Sequence, residues 1–172
     1  MTEGGNIFLV GPMGAGKTTI GRSLARLLHK DFRDCDREIE ERTGADIPLI
    51  FELEGEPGFR RREKAMLEEL TALREIVLAT GGGAVLDPEN RALLRQKGTV
   101  VYLFAPIEHL YQRTRRDRNR PLLQTEDPLL RLEQIMAERD PLYREVADLI
   151  VKTDHRTVHS VVNEVQRRLL QL

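Results

Sequence analysis

Apolar residues along this chain follow two alternating rhythms. Short unbroken runs occur at Asn6-Ile7-Phe8-Leu9-Val10, Arg74-Glu75-Ile76-Val77-Leu78-Ala79, Thr99-Val100-Val101-Tyr102-Leu103-Phe104 and Leu149-Ile150-Val151. They have the length and continuity of strands buried on both faces. Between them, apolar residues recur every three or four positions: Ile20, Leu24, Leu27 and Leu28; Met66, Leu70 and Leu73; Leu129, Leu132, Ile135 and Met136; Val158, Val161, Val162, Val165 and Leu169. That spacing predicts helices with one buried stripe. The punctuation agrees. Asp87-Pro88 supplies an N-cap and a proline at the first helical position, and Gly98 is a good stop. Glu56-Pro57, Pro106 and Asp127-Pro128 open further helices. Alternating strands and helices predict a three-layer α/β/α architecture on a central parallel sheet. Ligands on such a sheet bind beyond the carboxyl ends of its strands.

Composition narrows the class without changing that picture. The 172 residues suit one domain. Charged residues make up 32% and hydrophobic ones 40%, as in water-soluble globular proteins. A net charge of −1 gives no bulk attraction to nucleic acid. The single cysteine, Cys35, excludes an internal disulfide and suits a reducing compartment. The amino terminus has no basic, then apolar, leader, and no apolar run is long enough to span a bilayer. A cytoplasmic location, with no membrane partner, is expected.

Residues 11–18, Gly-Pro-Met-Gly-Ala-Gly-Lys-Thr, fit the phosphate-cradling P-loop pattern between a strand and a helix. The glycines let the backbone curl and turn its N–H groups toward a polyphosphate at a helix N-terminus. Lys17 supplies a point charge, and Thr18 offers a hydroxyl to Mg²⁺.

Other clusters are individually ambiguous. In an extended segment, Asp34 and Asp36 would face one spot, with Cys35 turned toward packing. One carboxylate could serve a magnesium shell while the other orients or deprotonates a hydroxyl. They could equally be solvated acids near a helix start. Gly81-Gly82-Gly83 suits close backbone approach to a ligand, or a plain turn. Thr80 stands where many P-loop proteins carry an acidic magnesium partner, which leaves Asp34 as the supplier. Arg60 could clamp a carboxylate or pair with Glu56 or Glu63; Arg139 is equally open. Residues 113–120 hold five arginines and precede Pro121. They read as a mobile lid over phosphates, a solvated basic face, or an RNA contact lacking interleaved aromatics. The four histidines show no metal spacing.

Taken together, the P-loop, Asp34-x-Asp36, Glu56-x-x-Phe59-Arg60-x-x-Glu63, Thr80-Gly-Gly-Gly, Arg120-Pro-Leu-Leu and Arg139-x-Pro-Leu-Tyr143 resemble the shikimate kinases, a P-loop kinase family. The run from Asn6 to Lys17 is similar to the enterobacterial type. The resemblance implies ATP-dependent phosphorylation of the 3-hydroxyl of shikimate, toward chorismate and the aromatic amino acids, by a monomer. It implies that Gly14, Ala15, Gly16, Lys17, Thr18 and Thr19 hold ATP, with Arg113 and Arg156 flanking adenine. Thr18 and Asp34 would serve Mg²⁺. Asp36, Arg60, Gly81, Gly82, Gly83 and Arg139 would bind shikimate, with Glu63 orienting Arg60. Lys17, Asp36 and Arg120 would act in catalysis, Arg120 from a lid at about 113–123. Residues 34–62 would form the substrate-binding segment. The rivals are another small-molecule kinase of this fold, such as a gluconate kinase, and a nucleotide-dependent regulator without turnover.

Overall fold

A computed structural model describes residues 5–115 and 125–172. Arg120 and lid positions 116–123 therefore lie outside the described residues. Five strands form one sheet in the order β2-β3-β1-β4-β5, and every neighbouring pair is parallel. They are β1 (Asn6–Val10), β2 (Asp31–Asp34), β3 (Ile76–Ala79), β4 (Gly98–Phe104) and β5 (Leu149–Lys152). The central strands carry the expected runs. Residues 7–10 and 76–79 are buried without interruption, as a sheet covered on both faces requires.

Among the described residues seven α-helices complete the layers: α1 (Lys17–Leu28), α2 (Cys35–Thr43), α3 (Ile47–Thr71), α4 (Pro88–Lys97), α5 (Ile107–Thr114), α6 (Pro128–Val146) and α7 (Val158–Leu169). Helices α1 and α7 pack together, while α3, α4 and α6 form a second group over β4. Aspartates cap three of them: Asp87 and Asp127, as the sequence suggests, accept from the N–H groups of Glu89 and Leu130, and Asp46, not foreseen, accepts from that of Leu49. No helix among the described residues is long and apolar enough to cross a membrane.

One local expectation needs correction and another gains an addition. Asp34-Cys35-Asp36 is not extended throughout. Asp34 ends β2 and N-caps α2 by accepting from the Arg37 N–H, so Asp36 sits in the first helical turn. The cap bond favours helix over continued strand here. The helix expected to open at Glu56 does so, directly after Gly55, whose φ of 72° and ψ of 178° leave the helical region and kink α3 between it and an earlier part that begins at Ile47. Arg62 bridges the break to Glu54 with Nε at 2.7 and 2.9 Å from the two carboxylate oxygens.

Candidate active site

The phosphate loop is built by its own backbone. Gly14 and Gly16 have φ of 84° and 95°, left-handed values that L side chains rarely adopt. Gly16 then starts α1 with no side-chain cap and no acid in the first turn. The helix N-terminus thus keeps unsatisfied N–H groups and an uncancelled positive end. Lys17 Nζ donates to the carbonyls of Gly11 and Pro12, at 2.6 and 2.9 Å. Helix α5 buttresses the loop from outside, where Arg113 donates to the Gly14 carbonyl at 3.0 Å.

Beside it, Thr18 Oγ1 donates to Asp34 Oδ2 at 2.7 Å. A hydroxyl and a carboxylate so placed are hard oxygen donors. They fit Mg²⁺, which keeps most of its waters and needs few protein ligands. Thr80 takes no part in such a site. It is buried, and both its N–H and its hydroxyl bond to the Leu9 carbonyl, at 3.1 and 3.0 Å. The strand-end position that could hold an acid instead ties β3 to β1.

A cleft of about 630 Å³ lies over these strand ends. The P-loop residues Gly14, Gly16, Lys17, Thr18 and Thr19 line it, together with Asp34, Asp36, Gly82 and Arg113. Ala15 is buried beneath the loop. Arg37, Glu40 and Ile47 also line the cleft, and nothing in their local sequence singles them out. A second groove of about 220 Å³ runs past Thr19, Arg113, Thr153 and Arg156. There Arg156 is held by Glu164 at 2.9 Å and by Ser160. Near it the His109 and His155 rings meet edge to face, and burial with Arg113 lowers the His109 pKa. No cluster of three potential metal ligands occurs among the described residues.

Deeper in, four chain segments converge on Gly81-Gly82-Gly83. A Cβ on Gly81 would fall 2.6 Å from Glu63 Oε2 and 2.9 Å from Asp36 Oδ1. One on Gly83 would fall 2.6 Å from Arg60 Cζ. One on Gly82 would fall 3.5 Å from both Arg139 Nη1 and the Met13 nitrogen. Arg60 pairs with Glu63 at 3.0 Å and Glu56 at 3.3 Å, so both pairings open to it in sequence occur together. Arg139 is only 3% exposed. The Nε atoms of Arg60 and Arg139 and Oε2 of Glu63 are buried without a hydrogen-bond partner among the described residues. Buried donors left open in this way suit an incoming carboxylate. Burial pushes the Glu63 carboxyl up to about 7; Arg60 and Arg139 pull it back, and Asp36 adds to the rise. Arg60 gives Glu63 the charged partner that this buried carboxyl cannot replace with water.

Sequence reasoning quoted Tyr143 within a motif but gave it no task. Its hydroxyl donates to the Gly82 carbonyl, and its ring is wholly buried. The only sequence signal was its place four residues after Arg139, on the same helical face.

The shikimate kinase family model matches residues 13–170. The shikimate kinase of Thioalkalivibrio sulfidiphilus is 64% identical over 167 residues, covering 97% of this chain and 88% of its own. That of Pseudomonas syringae pv. tomato is 59% identical and covers 97% of each chain. Among solved structures, shikimate kinase from Acinetobacter baumannii in complex with shikimate superposes with a TM-score of 0.95 at 53% identity, covering 97% of this chain and 93% of that one.

Proposed function

The chain belongs to the shikimate kinase family, and from that premise we propose that it transfers the terminal phosphoryl group of ATP to the 3-hydroxyl of shikimate, on the route to chorismate and the aromatic amino acids. The observation that carries this reading is a pair of arginines, Arg139 buried and Arg60 half-buried. Arg60 and Arg139 hold open donors against a glycine loop, with Asp36 beside them and the P-loop across Gly82. That arrangement suits a small hydroxylated ring bearing one carboxylate.

In this reading the P-loop N–H groups and Lys17 hold the phosphates. Lys17 exchanges its two carbonyl partners for phosphate oxygens. Arg60 and Arg139 grip the substrate carboxylate, and Glu63 fixes the Arg60 guanidinium. The ring then lies along Gly81, Gly82 and Gly83, with its hydroxyl at Asp36. The hydroxyl oxygen bonds to the γ-phosphorus as the bond to the β–γ bridging oxygen breaks, and Asp36 accepts the proton. Thr18 and Asp34 would hold Mg²⁺, which supplies charge neutralisation at the phosphates when bound. Arg113 and Arg156 border the groove suited to the base. Arg120 is assigned the bridge between the two substrates. We also propose one domain spanning 1–172, with a substrate segment at 34–62 and a lid at 113–123, acting as a cytoplasmic monomer without nucleic-acid or membrane partners.

ADP release measured with shikimate, quinate and gluconate at saturating MgATP tests the reading. The expected result is turnover that depends on shikimate and strongly prefers it. Equal turnover with gluconate, or ATP binding without acid-dependent turnover, refutes it.

A further inference from the structure

Tyr143 spends its hydroxyl in an unusual place. Its ring is 0% exposed and lies 4.9 Å from the Tyr102 ring, between helix and sheet. A phenylalanine would pack there equally well. The hydroxyl instead crosses to the Gly82 carbonyl, 61 residues away in sequence. Burial pushes the phenol up to about 12, so it keeps the proton it donates.

Gly82 is the residue through which the two halves of the cleft touch. The place where a Cβ would lie on it is 3.5 Å from both Arg139 Nη1 and the Met13 nitrogen, so clamp and phosphate loop meet there. Arg139 sits one turn before Tyr143 on α6, so one helical face delivers both groups to the loop. Holding the Gly82 carbonyl also fixes the Gly83 N–H, which points the opposite way across a trans peptide. The hydroxyl of Tyr102 donates instead to the Asp140 carboxylate at 2.6 Å.

We infer that Tyr143 is a positioning residue for the acid substrate: its hydroxyl locks the Gly82 peptide against Arg139 and thereby sets the distance between the carboxylate clamp and the phosphate loop. This rests on the function proposed above. Tyr143 touches no substrate itself; it acts through Gly82 and Arg139. Losing the hydroxyl, which bonds the Gly82 carbonyl and also meets the Arg139 guanidinium, should raise the Michaelis constant for shikimate about three- to tenfold.

The test is steady-state kinetics and thermal unfolding of Tyr143→Phe, Tyr102→Phe, Arg139→Ala and the Arg139→Ala/Tyr143→Phe double variant. Tyr143→Phe should raise the shikimate Michaelis constant by that factor while the ATP constant stays within about twofold. Tyr102→Phe, which also costs a tyrosine hydroxyl bond but one made to a carboxylate, should leave the shikimate constant unchanged. In the Arg139→Ala background, Tyr143→Phe should add less than about twofold, because the clamp it aligns is gone. An unchanged shikimate constant in Tyr143→Phe overturns the inference. So does an equal rise in Tyr102→Phe, which would reduce both hydroxyls to packing. A Tyr143→Phe chain that does not fold overturns it too, since the hydroxyl would then hold the fold rather than the site. Wild-type protein that releases no ADP with shikimate would instead defeat the underlying function, which this set detects separately.

Discussion

Two glycine-rich loops face each other across the cleft, and they need glycine for opposite reasons. In the P-loop, Gly14 and Gly16 sit at positive φ. There the missing side chain permits a backbone conformation. In the second loop, Gly83 has φ of −98°, and neither Gly81 nor Gly82 is left-handed. There the missing side chains make room for Glu63, Asp36, Arg60 and Arg139. The first loop binds through its own backbone; the second is a floor on which distant side chains are arranged. A phosphate site can therefore be written in eight adjacent residues, whereas a carboxylate clamp must be assembled by the fold.

The largest effect should come from the self-contained loop. Lys17→Ala removes charge that grows in importance as the phosphoryl group transfers. It should cost roughly a hundredfold or more in turnover, with little change in the shikimate Michaelis constant. Near-normal turnover would end the contrast at its stronger side. Arg139→Ala should act the other way, raising the shikimate Michaelis constant about ten- to a hundredfold, as for a lost charge-assisted contact, with turnover less affected. An unmoved constant would remove the clamp.

Smaller effects sharpen the difference between the glycines themselves. Gly83→Ala should destabilise the fold, and trimming Arg60 to alanine should recover at least about 1 kcal/mol of that loss, because the clash is with a side chain. Gly16→Ala should cost about 1–2 kcal/mol and stay costly in Ile20→Val, which removes the nearest side-chain atom, because the penalty is conformational. Equal relief in both cycles, read by denaturant unfolding, would show that the two loops are alike. A further change is a slope. Glu63 is raised from 4.5 to about 7 in the folded chain, so between those values the folded state holds more proton than the unfolded one. Its favourable contribution is complete below about 4.5 and lost as pH rises through about 7. Glu63→Gln should remove this decline, which is at most about 1.4 kcal/mol per pH unit. Parallel stability profiles for wild type and variant would show that Glu63 does not titrate in this window.

What could be read from the chain follows the same division. Strands β1, β3, β4 and β5 announce themselves because burial on both faces demands continuous apolar runs. Strand β2 does not: Asp31-Phe32-Arg33-Asp34 is an edge strand, largely half-exposed, and its polar residues hide it. The P-loop is legible because local geometry and chemistry coincide in one stretch. Asp34 and Asp36 were recognisable as a pair, but their placement by a helix cap was not. Arg60, Glu63 and Arg139 looked like ordinary surface charge until the family resemblance joined them, since burial of a charged group leaves no mark on its neighbours in sequence. Tyr143 was least visible, because its task lies in a bond to a residue far along the chain.

Cys35 gives the cleft a readout that needs no added label. It is the only cysteine in the chain, it is 0% exposed, and it opens α2 between the two aspartates that face the two halves of the site. Burial, with the nearby acids, raises its thiol pKa well above the ordinary value and so disfavours the reactive thiolate. Reaction with a disulfide reagent then becomes a stopwatch for the lifting of this one segment. Each ligand's effect on the rate times how often that wall of the cleft comes loose.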